Sequence, residues 1–573
     1  MKEKLVIIGA VAAGTKAASK ARRENPDLEI KIYTKDKYVS YAGCGLPYYI
    51  SGVISDKSEL LVRSPEDFKV EQNINIFIKH EVIEINPEIK EISIRNLDTD
   101  LEFSEKYDRL IIASGAVAVV PALENVDLEG IHTLRSIDDA FAIRDGIDKG
   151  KIRKAVVVGG GFIGVEAAEN LHMKGVEVVL VELFDHILPP FDEEMALLVQ
   201  NHMNEMGIKV ITGEKVTGFE GKDRKVKLVK TTGGNFEADV VILSIGVKPN
   251  VKFLKDSGIE LGVTGAIKVN EFMQTSVPDI FAAGDCAENV QLVTGKAAWF
   301  PMGSTANKTG RIAGQNAAFP CEGSINLEKM GDKNFCYVNK NWERLKGVVG
   351  TAVVKIGDIN AARTGLTERD AIKEGYDYES IIVPANDIAH YYPGHKEIIS
   401  KLIIDKVSGK ILGAQVVGAG VVDKPIDIYV TAMTMGATYE QLSKLDLAYA
   451  PPFNMAMGSN ILAANVMKNK MTGKVKSFNS KELKEMMKIG NANILDVREE
   501  IENFISSIPD STNIPLAELE KRSGEINKEV ETIILVCKVG RRAFIAYQKL
   551  KNLGFENVSI LEGGTTAYPY EKI

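Results

Sequence analysis

The stretch that most constrains the fold is Ala155-Val156-Val157-Val158 followed by Gly159-Gly160-Gly161-Phe162-Ile163-Gly164. Four apolar residues in a row read as a parallel strand buried on both faces, and the G-x-G-x-x-G after them turns the chain tightly into a helix, Val165 to Lys174. A second strand, Glu177 to Val181, ends in Glu182, the position from which a carboxylate meets a ribose 2′-hydroxyl. Strand, glycines, helix, strand and acid in this order make a βαβ unit that receives a dinucleotide pyrophosphate on its helix N-terminus. No arginine follows Glu182 within four residues, and its charge would repel a 2′-phosphate, so NADH is favoured over NADPH. The run from Ile242 through Gly246 to Asn250 closes this unit.

An earlier unit repeats the pattern imperfectly. Leu5 to Ile8 is an apolar strand, and Gly9-Ala10-Val11-Ala12-Ala13-Gly14 opens a helix expected from Thr15 to about Asn25. Val11 replaces the middle glycine, and Thr34 stands where a ribose-binding acid is expected, so this turn should hold a phosphate with only a neutral contact to the ribose. Leu110 to Ala113 leads to Ser114-Gly115. Ile280 to Ala283 ends in Gly284-Asp285, with Asp285 placed to hold a ribityl hydroxyl, and a helix beginning between Pro301 and Asn307 brings Ala306 and its neighbours toward the pyrimidine edge of a flavin.

Between these units lies Ser40-Tyr41-Ala42-Gly43-Cys44-Gly45-Leu46-Pro47-Tyr48-Tyr49. A lone cysteine between glycines is either a small packing residue or a redox centre approached closely by a ring or a second sulfur. Cys44 is expected to open a helix, whose free N–H groups favour a thiolate. Positions 48 and 49 are tyrosines, and the chain has no Cys-x-x-Cys or Cys-x-x-x-x-Cys pair. A catalytic Cys44 therefore works alone, through a mixed disulfide, persulfide or sulfenic acid.

Composition narrows the class. A chain of 573 residues holds three or four domains, and a net charge of -8 argues against a general nucleic-acid binder. Five scattered cysteines, 44, 286, 321, 336 and 537, do not make a disulfide framework and fit a reducing cytoplasm. Cys286 reads as packing, Cys321 and Cys336 carry no metal-ligand spacing, and no metal is expected. Met1-Lys2-Glu3-Lys4 and the apolar run after it imitate a secretory start but lead into Gly14 and the basic Arg22-Arg23, and no run reaches the roughly 18 apolar residues of a membrane span.

From Gly347 to about Met467 strands alternate with helices, and two aromatic turn-rich stretches, around Tyr391 and Tyr449, read locally as a strand-edge turn and a helix stop. Residues 468–477 are polar and basic, a linker expected to let the tail approach Cys44. Beyond it, Asn493 to Leu495 and Ile533 to Val536 are strands, the second ending in Cys537-Lys538-Val539-Gly540-Arg541-Arg542. A cysteine in a short loop between strand and helix sits in a ring of N–H groups that holds a thiolate or the end of a persulfide, with Arg542 adding positive charge.

Together these segments resemble the flavin-dependent pyridine nucleotide–disulfide oxidoreductases. Within them they look like the single-cysteine branch of CoA-disulfide reductases, NADH oxidases and peroxidases, and NADH-dependent persulfide or polysulfide reductases; the tail is similar to rhodanese. The resemblance implies an α/β protein with two Rossmann-like domains for FAD (1–118 and 249–322) and NADH (119–248), an α+β dimerisation domain (323–467), the 468–477 linker and a rhodanese-like α/β domain (478–573). It implies that Gly9, Ala10, Gly14, Thr34, Gly115, Asp285 and Ala306 bind FAD, and that Gly159, Gly161, Gly164, Glu182 and Gly246 bind NADH. Phe162 matches an aromatic residue covering the flavin where the nicotinamide docks, and Cys44 matches the redox cysteine on the other face. Tyr391 and Tyr449 match tyrosines reaching the partner subunit's cysteine, which implies a homodimer. Arg23 and Ser40 match contacts to coenzyme A, a further candidate ligand. Cys537 and Arg542 match the rhodanese loop.

The chain departs from that pattern at Gly43, where the simplest CoA-disulfide reductases carry Asn, and at Gln72, where they carry a phosphate-binding lysine. The Gly-His-Ile-Pro-Gly-Ala of rhodaneses is also replaced, around Ser507-Ile508-Pro509-Asp510. The expected activity is NADH-dependent reduction of CoA disulfide, CoA persulfide or polysulfide, with a sulfur-carrying tail and small-molecule rather than nucleic-acid or membrane partners. The alternatives are an NADH oxidase or peroxidase cycling through a sulfenic acid, and a non-enzymatic redox sensor or sulfur carrier.

Overall fold

The computed structural model describes residues 2–320, 339–528 and 530–573. Cys321, Cys336 and the boundary expected at 322/323 lie outside the described residues.

Four five-stranded sheets, three parallel and one antiparallel, organise the described residues, with smaller antiparallel sheets beside them. In the first, Lys4–Ile8 lies between Arg109–Ile112 and Glu29–Tyr33, with Ile280–Ala282 and Ile74–Phe77 at the edges. Alternation explains its burial: Leu5 and Ile7 pack into one apolar cluster with the helix Ala12–Glu24, while Val6 and Ile8 pack into another on the opposite face. The second sheet repeats this, with Lys154–Val158 between Glu177–Val181 and Val240–Leu243; Ala155 and Val157 face one core and Val156 and Val158 the other. The helices begin a few residues earlier than the sequence implies, at Ala12 and Phe162, because the glycine turns are tight enough to start the first turn at once.

The antiparallel sheet orders Ala352–Ile356, Ile359–Gly365, Ile411–Gly418, Glu397–Asp405 and Tyr378–Asn386. Strand Ile359–Gly365 is absent from the sequence reading, because Asn360, Arg363 and Thr364 break its apolar alternation. The tail sheet is parallel, in the order Ser477–Phe478, Val558–Leu561, Ile533–Val536, Asn493–Asp496 and Thr512–Asn513.

The expected linker at 468–477 is corrected. Residues up to Met471 belong to the helix Ser459–Met471, and Ser477 already pairs in the tail sheet. Lys468 and Lys470 serve the last turn of that helix, where cations complement its dipole, so their polarity is not that of a free tether. The tail is docked. Glu562, 3 % exposed, accepts from Lys470 Nζ at 2.7 Å, Ser477 Oγ at 2.7 Å and the Ile382 N–H at 3.1 Å. Tyr570 and Asn201 add hydrogen bonds to Glu193 and to the Pro569 carbonyl, at 3.1 and 2.6 Å. These contacts hold the tail against the strand Tyr378–Asn386 and the helix Glu193–Glu205 rather than on a free tether. Among the described residues no helix is long and apolar enough to cross a membrane.

Candidate active site

Both glycine turns are built alike. Gly9 and Gly159 each adopt φ of +101°, which side chains rarely tolerate. A Cβ on Gly14 would lie 1.9 Å from the Gly9 carbonyl oxygen, and one on Gly164 1.9 Å from that of Gly159, so each helix starts in contact with its own turn. No side chain caps either helix, leaving the first N–H groups free for phosphate oxygens. Space beside Gly161 and Gly246 is open to 4 Å. Ala10 and Ala306 are buried at the first turn and in the first turn of the helix Gly303–Ala317.

Glu182 is buried, and its two oxygens accept the N–H groups of Gly160 and Phe184 at 2.5 and 2.9 Å. Each oxygen keeps a second lone pair, so the carboxylate braces the turn and has acceptor capacity left for a hydroxyl. Thr34 has no such charge: its backbone ties to Phe77 and His80, and its hydroxyl accepts weakly from the Asp36 N–H at 3.4 Å. Asp285 is half-buried, only its backbone carbonyl is bonded, to Trp299 Nε1 at 2.8 Å, and burial pushes its carboxyl up against the pull of Arg135. A half-buried carboxyl with no hydrogen-bond partner among the described residues fits a ribityl chain. Gly115, at φ +71°, lies beside Arg135, which donates to the neighbouring Ala116 carbonyl at 2.8 Å. These residues fit FAD at the first turn and a nicotinamide dinucleotide at the second.

Cys44 is exposed, on the short 3-10 turn Gly43–Gly45 that leads into the helix Leu46–Ser51. In the polypeptide alone the surrounding protein pushes the thiol up, Glu166 and Asp285 add to the rise, and Arg135 opposes it. The 3-10 turn runs straight into the α-helix, so Cys44 opens the helix as expected, and the two carboxylates work against the thiolate that its N–H groups favour. Sequence reasoning missed Glu166. It lies one turn beyond Phe162 on the helix Phe162–Met173, and Tyr48, one turn beyond Cys44, donates to its Oε1 at 3.1 Å. Burial pushes Glu166 up to about 7 against that hydrogen bond, with Glu169 adding to the rise. The i, i+4 spacing of Phe162 and Glu166 was a legible signal. Phe162 is half-buried, its ring 6.2 Å from that of Phe191.

This arrangement predicts the reactivity of Cys44. Glu166→Gln in nucleotide-free protein should speed alkylation of Cys44 severalfold at pH 8, because a negative neighbour is removed and the thiolate fraction rises. At pH 6 the rates should converge, since Glu166 already carries its proton there. Iodoacetamide labelling across pH checks this; equal rates at pH 8 count against the coupling.

The structure brings Tyr391 and Tyr449 together. Their hydroxyls are 3.0 Å apart although 58 residues separate them, and the side chains are 62 % and 49 % exposed. Ser40 stands beside the first turn, its N–H on the Ala10 carbonyl at 2.8 Å and its φ at +47°. Arg23 is exposed, whereas Arg22 is spent on the carbonyls of Gln72 and Asn73, both at 2.9 Å. Cys286 is buried, its thiol on the Ile112 carbonyl at 3.3 Å, as packing requires.

In the tail, Cys537 Sγ accepts N–H groups of Gly540 at 3.1 Å and Ala543 at 3.3 Å, the ring of donors expected from its loop. Arg542 serves two partners: its guanidinium grips Glu502 at 2.5 and 2.7 Å, holding that carboxyl down to about 2, and it is also attracted to Cys537.

Comparison with known proteins places these features. Residues 3–298 match the family model described as pyridine nucleotide-disulphide oxidoreductase, 351–461 its dimerisation domain, and 479–569 a rhodanese-like domain. A CoA-dependent NAD(P)H sulfur oxidoreductase from Pyrococcus furiosus is 37% identical over 82% of this chain and 99% of its own. A coenzyme A disulfide reductase from Staphylococcus haemolyticus is 30% identical over 79% and 96%. Among solved structures, an NAD-dependent persulfide reductase from A. fulgidus aligns at TM-score 0.90 and 39% identity over 99% of this chain and 100% of its own. Reduced CoADR-RHD from Bacillus anthracis aligns at 0.89 and 36% over 99% and 98%.

Proposed function

The chain belongs to the pyridine nucleotide–disulphide oxidoreductase family, and on that premise we propose that it is an NADH-dependent reductase of small persulfides and disulfides, CoA-linked ones included, acting as a homodimer through Cys44. One observation carries the reading: two exposed phenols meet at 3.0 Å on the domain that matches a dimerisation model. A pair of hydroxyls held at a dimer face suits a reaction whose leaving sulfur needs a proton.

Bound FAD supplies a two-electron relay between NADH and sulfur. The chain's own residues do the rest. Glu182 holds the ribose and the glycine turns hold the pyrophosphates. The Phe162 ring shifts to admit the nicotinamide. Cys44, once ionised, attacks the outer sulfur of a persulfide or one sulfur of a disulfide; that S–S bond breaks as the Cys44–S bond forms. Tyr391 and Tyr449 of the partner subunit give the leaving sulfur its proton. Arg23 and Ser40 contact coenzyme A. Cys537 accepts a sulfane sulfur within its ring of N–H groups.

The test is NADH consumption measured in parallel with oxygen, hydrogen peroxide, CoA disulfide and polysulfide. The sulfur acceptors should dominate. Dominance of oxygen or peroxide would make it an oxidase or peroxidase, and turnover with none of them a sensor or carrier. Nicotinamide choice provides a further prediction. Glu182 should favour NADH over NADPH in kcat/KM by about fivefold to a hundredfold, equivalent to roughly 1–3 kcal/mol. A preference for NADPH would mean that the second turn has been misassigned.

A further inference from the structure

The helix Glu500–Ile505 in the tail is built inside out. A surface helix ordinarily buries an apolar stripe and shows water its polar face. Here no residue of the helix is buried, and the polar side chains are the ones engaged with the domain. Asn503 Nδ2 donates to Asp496 Oδ2 at 3.0 Å, Asp496 itself being locked to Arg498 at 2.6 Å, and Glu502 grips Arg542. The apolar side chains face out: Ile501, Phe504 and Ile505 are 63 %, 87 % and 73 % exposed. Through the Glu502–Arg542 pair this helix is fixed to the Cys537 loop, which adds the exposed Val539 and the exposed cations Lys538 and Arg541.

We infer that this helix and the Cys537 loop form a docking surface for a protein that carries a sulfane sulfur on its own cysteine and hands it to Cys537. The inference rests on the reading of Cys537 as a sulfur acceptor. Three features point to this occupant. The patch is tied to the mouth of the tail's one cysteine, where a small inorganic donor would need no apolar platform. Its cationic border suits an acidic partner surface, and the tail's sulfur is already surrounded by donors for a negative sulfur. Four exposed apolar side chains also fall well short of the roughly 800 Å² per partner that a stable dimer buries. They suit a donor that leaves after each transfer better than a second copy of this chain.

The step balances without an added oxidant. The Cys537 thiolate attacks the terminal sulfur of the partner's persulfide, and a Cys537–sulfur bond forms as the partner's S–S bond breaks. The electron pair leaves on the partner's cysteine thiolate, and the proton stays on the transferred sulfur.

The experiment uses the full chain. A benzophenone amino acid at position 504 captures what docks there in the native host. The captured protein is then purified, loaded with isotope-labelled persulfide and used as the probe. Mass spectrometry reads the gain of one sulfur atom on the Cys537 peptide, with Cys537→Ala as blank. In the Ile501→Glu/Phe504→Glu variant, transfer from that protein should slow by about tenfold or more while loading from thiosulfate stays within about twofold. Both substitutions are on solvent-facing side chains, and unchanged NADH-dependent turnover with small disulfides confirms that the fold is kept. Equal transfer rates, capture of nothing, or capture only of a second copy of this chain would overturn the proposal. Failure of wild-type Cys537 to load from thiosulfate and polysulfide would instead remove the underlying sulfur-acceptor reading, and the proposal with it.

Discussion

Serine in place of Cys44 abolishes reduction of disulfides and persulfides, with turnover falling on the order of a thousandfold or more, the scale of losing a nucleophile. The substitution is nearly isosteric at an exposed turn, so the glycine turns, Asp285 and Glu182 are undisturbed and flavin content should match the wild type. Bleaching of the flavin by NADH should survive, because it needs Phe162 to move and Glu182 to bind but no sulfur. Flavin absorbance in a stopped-flow instrument separates the two halves of the reaction. Near-normal disulfide turnover in Cys44→Ser would end the central assignment, and loss of both halves would point to a damaged fold.

The second large effect is on stability. Lys401 is fully buried in the interior strand Glu397–Asp405, with carboxylate oxygens of Asp192, Glu194 and Glu368 at 3.0, 2.5 and 2.9 Å. Asp192 and Glu194 come from the chain around the helix Glu193–Glu205, and Glu368 from the helix Glu368–Glu374, so one cation ties the nucleotide-binding half to the antiparallel sheet. Burial already pushes Glu194 up, while Lys401 helps to hold Glu368 down. Lys401→Met fills the same space but leaves three carboxylates without their cation, which costs about 3–5 kcal/mol. In a protein of several domains this is read as a lower apparent Tm and faster thermal inactivation, not as one unfolding free energy. The sign of the pH dependence follows. Without Lys401 the Glu194 and Glu368 carboxyls lose the cation that pulls them down, so their folded-state pKa values rise above the unfolded ones and the stability they contribute is present at low pH and lost as pH rises. The deficit of the variant should therefore shrink toward pH 5 and widen toward pH 8. A deficit independent of pH would show that packing, rather than charge, dominates.

Much of this was legible locally. The two glycine turns, Glu182, Asp285 and the Cys537 loop each declare themselves within about thirty residues, because strand, turn and helix are contiguous and the chemistry requires particular residues at particular offsets. The N–H ring around Cys537 follows from its place between a strand end and a helix start. Polarity misled at 468–477, where Lys470 reads as tether yet is a buried ion-pair partner of Glu562. A lysine's partner 92 residues away leaves no local trace.

What the sequence alone determined, then, is the set of backbone cradles: periodicity and glycine placement specify turns that leave helix N–H groups free and a loop whose N–H groups meet the Cys537 sulfur. Tertiary structure alone decided which side chains share a charge. Arg542 is taken by Glu502, 40 residues away; Cys44 faces Glu166, which belongs to the other nucleotide unit; and Lys401 gathers carboxylates from 207 residues away. Backbone geometry is governed by neighbours in the chain, whereas the protonation and pairing of a buried side chain depend on whatever the fold packs against it.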